Sequence, residues 1–260
     1  MKSLGRKQSI SNNAWIEAVA TIESAVSRKE LDDLTAVTIA DIQANVEGKK
    51  AAYAWSAGKD SIVLGHICEA AGVTGSMIGV CDLEYPAFAA WIDANKPTGC
   101  EVINTHQDID WLAKHPEMLF PEDAAAAGRW FSIVQHRAQR IYFKAHELDT
   151  LILGRRRADG NFVGRGTNIY TDGKGVTRFS PLAGWSHEHV LAYIHYHKLP
   201  LPPIYEWKNG YLCGTHPWPA RQWTGGNGWR EVYEIDPSIV TAAAEKIESA
   251  RAFLNGEVRA

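Results

Sequence analysis

Ala51-Ala52-Tyr53-Ala54-Trp55-Ser56-Ala57-Gly58-Lys59-Asp60-Ser61 is a short apolar run that breaks into small and polar residues. It is followed by Ile62, Val63, Leu64 and Ile67 at helical spacing, so the segment reads as strand, turn and helix. At such a junction backbone N–H groups and the positive end of the helix converge, which suits a bound anion. Gly58 permits close backbone approach, Ser56 and Ser61 have hydroxyls to donate to phosphate oxygens, and Lys59 adds charge if its side chain turns inward. The G-x-x-x-x-G-K-[ST] spacing of a Walker A loop is missing. The plainer alternative is a capped turn in which Ser or Asp satisfies the first helical amides, and the hexapeptide alone does not separate the two.

Working outward, Met77 to Cys81 forms another apolar run ending at Asp82, and a helix is expected after Pro86, where the missing donor of proline costs nothing. Glu101 to Thr105 is expected as a third strand, Arg129 to His146 as one long helix bearing Ile133, Val134, Ile141 and Phe143, and Thr150 to Leu153 as a fourth, buried strand ending at Gly154. Upstream, Trp15, Ile16, Val19, Ile22 and Val26, then Leu31, Leu34, Val37 and Ile42, recur at helical spacing and predict two helices before the core. This alternation implies right-handed crossovers and a mostly parallel sheet covered on both faces. Beyond residue 155 the composition shifts to Gly, Arg, Trp and Pro, and loops over the carboxyl edge of the sheet are expected. The expected organisation is an N-terminal helical lead (1–48), a nucleotide-binding α/β core (49–184) and a helical, loop-rich C-terminal cap (185–260).

Composition narrows the function classes. The 260 residues are 45% hydrophobic and 22% charged, ordinary for a globular protein, with a formal net charge of -3. There is no global positive field of the kind that holds nucleic acid by counterion release, so any nucleic-acid contact would have to be local. No apolar run approaches the roughly 18 residues that span a bilayer, and the basic start MKSLGRKQSI lacks a following apolar stretch, so a cytoplasmic protein without a membrane partner is expected. Cys68, Cys81, Cys100 and Cys213 form no C-x-x-C pair, which argues for reduced thiols and against a disulfide framework, a closed zinc site or an iron–sulfur cluster. Cys213 and His216 stand in a C-x-x-H arrangement, read as a small buried thiol rather than half a metal site. Trp185, Trp207, Trp218, Trp223 and Trp229 are expected mostly to pack the cap, and His187, His189, His195 and His197 to be surface or capping residues without carboxylate partners.

Several segments in order resemble the PP-loop superfamily, adenine nucleotide alpha hydrolase-like, in its phosphoadenylyl-sulfate (PAPS) reductase-like branch. The S-G-G-K-D-S signature is matched by Ser56, Gly58, Lys59, Asp60 and Ser61, with Ala57 in place of the first glycine. That replacement is mild if φ is negative there and costly if the left-handed region is needed. Val80 to Pro86 resembles D-T-G-x-E-[FY]-P, and Leu151 to Asp159 resembles a G-x-R-x-x-[DE] turn. Pro181 to Val190 resembles P-[IL]-x-x-W-[ST]-x-x-[DE]-V, with Ser186 a natural N-cap. With Leu199 to Tyr205 and Gly210-Tyr211 the resemblance spans about Tyr53 to Arg221.

The resemblance implies a Rossmann-like fold with a mostly parallel five-stranded sheet, and an enzyme that uses ATP and magnesium. Such an enzyme attacks the α-phosphorus, releases pyrophosphate and adenylylates an acceptor, by positioning and charge neutralisation. Lys59, Asp60 and Arg156 are then the catalytic candidates. The nucleotide contacts are Ser56, Ala57, Gly58, Lys59, Asp60, Ser61, Asp82, Gly154, Arg155 and Arg157, with no dedicated metal-ligand set. Arg156 is expected to face an anion and Asp82 to face the nucleotide or its magnesium, a solvated basic turn being the plainer reading of Arg155 to Arg157. Two alternatives remain: a sulfonucleotide (PAPS) reductase, whose usual E-C-G-L-H motif has no counterpart in ESARAFLNGEVRA, and a catalytically inactive adenine-nucleotide-binding module, with homo-oligomers compatible with any of these.

Overall fold

The computed structural model describes residue 4, residues 10–222 and residues 224–257; most of the basic start and Trp223 lie outside the described residues. The lead holds α1 (Asn12–Ala20), α2 (Ile22–Ala25) and α3 (Arg28–Val46), three helices where the apolar spacing predicts two. Ser11 and Ser27 accept the Ala14 and Glu30 amides and so start α1 and α3, while Thr21, outside the helical region at φ -118° and ψ 17°, separates α1 from α2. There follow β1 (Ala51–Ala54), α4 (Lys59–Ala70), β2 (Ser76–Val80), α5 (Pro86–Asn95), β3 (Glu101–Asn104) and α6 (Ile109–Lys114). Next come α7 (Ala124–Ile133), α8 (Gln135–Ala145), β4 (Thr150–Ile152), β5 (Ile169–Thr171), β6 (Thr177–Phe179) and α9 (His187–His197). The chain closes with α10 (Gly210–Cys213), α11 (Gly228–Ile235), α12 (Pro237–Ala244) and α13 (Glu248–Leu254).

Among the described residues the strands form a six-stranded sheet in the order β3-β2-β1-β4-β6-β5. Strand β1 runs parallel to β2 and β4, β4 runs parallel to β6, and β5 returns antiparallel on β6. The sheet is α/β and mostly parallel, with one strand more than expected, because β5 and β6 are three-residue strands inside the segment expected as loop. The strand order reverses between β1 and β4, and in open parallel sheets ligands bind beyond the carboxyl ends of the strands at such a reversal.

The chain divides into two compact units. The first comprises Met1–Ile78, Lys96–Val102 and Gln139–Pro202. Here α9 is buried along most of its length, at His187, Glu188, Val190, Leu191, Ala192, Tyr193 and Ile194, because α1, α2, α3 and α4 all pack on it. Its histidines dock the lead. His189 Nε2 lies 3.2 Å from Glu30 Oε1 and His195 Nε2 lies 2.8 Å from Glu23 Oε1, so these histidines do have carboxylate partners, supplied by the lead. His189 also caps: with Ser186 it forms a reciprocal capping box at the start of α9.

The second unit comprises Gly79–Asn95, Ile103–Ala138 and Pro203–Ala260. Within it the expected long helix over Arg129 to His146 is broken at Val134, whose ψ of -74° ends α7. The Gln135 side-chain amide donates to Gly79 O at 3.0 Å. A Cβ on Gly79 would lie 2.7 Å from Ala138 Cβ, so the glycine lets the start of α8 approach β2. Trp218 and Trp229 are buried and pack against each other, and Trp207 sits edge-on to Tyr85 at 4.7 Å, in keeping with a packing role. Cys213 is likewise buried, with Sγ 3.2 Å from Gln222 O.

Candidate nucleotide site

The site grows out of β1. Tyr53 and Trp55 are buried, and Trp55 N still bonds to Met77 O at 2.8 Å, so the strand is held straight up to the turn. On the other side Val63, Leu64, Ile67 and Cys68 fix α4 by burial, each large apolar side chain contributing about 1.5–3 kcal/mol. Between them the backbone reverses at Ala57, which has φ 56° and no exposed surface. The left-handed region is therefore required at the position where the family signature has glycine, which is the costly case for alanine.

The turn is clipped from inside. Ser56 N and Ser56 Oγ reach Ser61 Oγ at 2.9 and 3.1 Å, and the Ser61 hydroxyl donates to Gly58 O at 2.9 Å. A hydroxyl carries one proton, so Ser61 spends its donor on the turn itself rather than on a ligand. Gly58 is the N-cap of α4 and brings no side-chain cap. The capped-turn alternative needs a serine or aspartate there, and the structure puts a glycine in that place.

Beneath the turn lies a cluster of paired charges. Lys59 is 3% exposed and its Nζ lies 2.7 Å from Asp60 Oδ2. Arg156, from the turn after β4, has no exposed surface. Its Nε donates to Asp60 Oδ1 at 2.7 Å, Nη1 to Trp185 O at 3.3 Å, and Nη2 contacts Asp159 Oδ2 at 3.0 Å and His187 Nδ1 at 3.1 Å. The expected anion-facing arginine thus turns inward, and its geometry is that of a brace for Asp60 and Asp159. Gly154 makes room for this: a Cβ there would lie 3.1 Å from Asp60 O. Arg155 is half-buried, its Nη1 donating to Tyr170 Oη at 2.6 Å, whereas Arg157 is exposed, with Nη2 2.5 Å from Asn168 Oδ1.

Where the sequence pattern predicts a surface or capping residue at His187, the structure buries it at 2% exposure. Guanidinium nitrogens only donate, so Nδ1 accepts from Arg156 and the ring proton sits on Nε2, which is buried without a hydrogen-bond partner. Burial, and then the Arg156 charge, push its pKa down to about 4. The lead closes this side of the cluster, where Trp15 meets His187 edge-on at 4.7 Å and Lys59 Nζ lies 5.1 Å from the Trp15 ring centroid.

In the second unit, Asp82 is exposed, accepts from Asn104 Nδ2 at 2.5 Å and lines an open pocket with Asp108, Asp110, Glu245 and Lys246. Glu84, two residues on, was not singled out from sequence. Its Oε1 accepts the Cys81 amide at 3.4 Å, its Oε2 is buried without a partner, and burial raises its pKa to about 8. Burial also raises the thiols of Cys68, Cys81 and Cys100 above the ordinary range. None of the four cysteines is in a disulfide.

A family model described as the phosphoadenosine phosphosulfate reductase domain matches residues 50–213, from the foot of β1 to the end of α10. The chain belongs to that family. With it the chain joins the PP-loop adenine nucleotide alpha hydrolase superfamily. Among solved structures, a PAPS reductase from Candida auris in a phosphate complex is 14% identical, with a TM-score of 0.50 over 70% of this chain and 94% of that one. The FMN adenylyltransferase of Candida glabrata is 13% identical, with a TM-score of 0.48 over 75% and 67% of the two chains. The NH3-dependent NAD synthetase of Campylobacter jejuni is 14% identical, with a TM-score of 0.46 over 85% and 95%. No curated protein matches the sequence. The PAPS reductase family match leaves out the lead and everything after α10.

Proposed function

We propose that the chain binds an adenine nucleotide at the turn between β1 and α4 and cleaves ATP between the α and β phosphates. The acceptor attacks the α-phosphorus, the α–β bridging bond breaks, pyrophosphate leaves with the electron pair, and the acceptor keeps the adenylyl group after losing its proton to solvent. The observation that carries this reading is the start of α4: a twelve-residue helix whose N-cap, Gly58, supplies no side-chain acceptor, standing where the strand order reverses. In this reading the main-chain amides from Ala57 to Ser61 cradle the phosphates, while the Ser56 hydroxyl, which donates to Ser61 Oγ, closes the turn from within. Arg157 steadies a further anion from its exposed position. Lys59 and Arg156 serve by fixing Asp60, and Gly154 by letting the two turns meet.

Two cations and two carboxylates make up the buried cluster, so its charge nearly cancels and it does little to offset a polyphosphate. Both Asp60 oxygens are engaged, which makes the turn a poor source of a carboxylate for magnesium. Magnesium would arrive on the phosphates and keep most of its waters, as it commonly does. Asp82, an exposed carboxylate of the second unit, enters the proposal only through its place in the stretch Val80 to Pro86, where it stands at the motif's glycine position. Incubation with ATP, magnesium and a panel of acceptors, read by mass spectrometry, should give pyrophosphate with AMP or an adenylylated product. ADP and phosphate would refute the assignment of the cleaved bond.

The buried commitment of Lys59 and Arg156 favours one second reading, an adenine-nucleotide-binding module without turnover. Calorimetry would separate it from the first, since tight binding with no turnover across the panel supports the module. The thiols raised by burial speak against a reductase that attacks through Cys68, Cys81 or Cys100, because the thiolate is the nucleophile.

A further inference from the structure

We propose that Trp15, in the lead and outside the family match, is a positioning residue of the nucleotide turn: its ring face holds the Lys59 ammonium inward, where it secures the Asp60 carboxylate. Lys59 is the first residue of α4, so its side chain starts at the edge of the turn that would meet the phosphates. An exposed, flexible lysine there would point its charge into solvent or at the ligand. Instead it is 3% exposed, with Nζ 5.1 Å from the Trp15 ring centroid and 2.7 Å from Asp60 Oδ2. A cation over an aromatic face is stabilised by the ring quadrupole, the more so when both are out of water, and Trp15 has no exposed surface at all.

The consequence reaches Asp60. Arg156 holds Oδ1 from one side and Lys59 holds Oδ2 from the other, so displacing either cation loosens the carboxylate. Trp15 also meets His187 at 4.7 Å, and His187 accepts from Arg156, so one indole backs both cations that hold the aspartate. A chain lacking the lead keeps the whole family match and loses this support. The inference rests on the proposed nucleotide site for its meaning, though not for its first test.

That test is acetylation of lysine amines in the full chain without nucleotide, followed peptide by peptide. In the wild type Lys59 should be among the slowest lysines. Trp15→Leu, which fills much of the space without a π face, should raise its rate about tenfold, and Trp15→Phe should stay within about twofold of wild type. Equal protection in Trp15→Leu, or equal loss in Trp15→Phe, would overturn the inference. Fluorinated tryptophan, incorporated biosynthetically, drains the ring face while keeping its shape and covers the case in which Trp15→Leu does not fold. Lys59 acetylation should then rise with each added fluorine, and flat rates would also overturn the inference. The affinity for MgATP should follow Lys59 protection, weakened about tenfold in Trp15→Leu and restored in Trp15→Phe. A wild type with Lys59 protected but no affinity for ATP would sink the nucleotide reading and leave the positioning of Lys59 standing.

Discussion

Asp60 and Glu84 stand just beyond the carboxyl ends of two sheet strands, and the chain treats them in opposite ways. Asp60, in the first unit, keeps a quarter of its side-chain surface and shares its oxygens between Lys59 and Arg156. Glu84, in the second, meets one backbone amide at 3.4 Å, leaves Oε2 unpartnered and is driven by burial to a pKa of about 8. Burial alone therefore does not decide whether a carboxylate near a strand end carries charge at neutral pH. The decision lies with the cations that reach the carboxylate: Lys59 and Arg156 hold Asp60, and among the described residues no cation is bonded to Glu84. Around Asp60 the buried positive charges are matched one for one, and the titratable group beside them, His187, is held neutral.

The largest expected break in this contrast is Arg156→Ala. It removes the cation shared by Asp60 and Asp159 and should lower the unfolding free energy by about 3–5 kcal/mol, the usual cost of leaving a buried charge without its partner. Urea denaturation at pH 7 checks it, and a loss within 1 kcal/mol of zero, by the same scale, would mean that the cluster relaxes freely. A paired pH experiment follows with smaller effects. His187 has its folded value lowered from 6.5 to about 4, so between those limits the unfolded chain binds a proton that the native chain refuses. Stability should fall as pH drops through that window. His187→Asn, which keeps an acceptor for Arg156 and cannot titrate, should remove about 2–3 kcal/mol of that fall. Glu84 gives the opposite sign. Its folded value is raised from 4.5 to about 8, so the native chain holds a proton that the unfolded chain has released, and stability should fall as pH rises through that range. Glu84→Gln should flatten the alkaline side by about 2 kcal/mol, after allowance for partial exposure. Parallel pH profiles for wild type and variant would show that neither group titrates as the geometry requires.

How much of this was legible in sequence follows from the range over which each feature is encoded. The apolar runs at Ala51 to Trp55, Met77 to Cys81 and Thr150 to Leu153 are local, and they locate β1, β2 and β4 to within a few residues. The split between α7 and α8 is invisible, because Ile133-Val134 continues a helical pattern and the break is tied to Gly79, more than fifty residues away. Strands β5 and β6 are too short for a period to show. The turn itself is legible from Ser56 to Ser61, and Gly154 as a motif position, but the close approach of Asp60 O that needs a glycine there is not. What Arg156 does is not, since its partners Asp60 and His187 lie 96 and 31 residues away and a triplet of arginines reads equally well as exposed. The same holds for His189 and His195, whose glutamates come from the far end of the chain. Asp159 was within reach, because it occupies the acidic position of the turn motif after β4.

Ala57 gives the finest test of the matched turn, and the sign of its effect is a balance of two small terms. At φ 56° an alanine is in the left-handed region, which costs an L-residue roughly 1–2 kcal/mol relative to its preferred basins. Glycine would escape that cost but would give up the buried methyl, worth about 0.8 kcal/mol, and would free the unfolded chain, a further penalty of about 0.5–1 kcal/mol. Ala57→Gly should therefore change stability by less than about 1 kcal/mol in either direction. Valine at the same place adds a branched Cβ to the same strained backbone in a fully buried setting, so Ala57→Val should cost about 2 kcal/mol or more. A glycine variant stabilised by well over 1 kcal/mol would mean that the strain is larger than a single left-handed residue explains. A valine variant as stable as the wild type would mean that the turn leaves the left-handed region in solution, and with it the geometry on which the phosphate cradle depends.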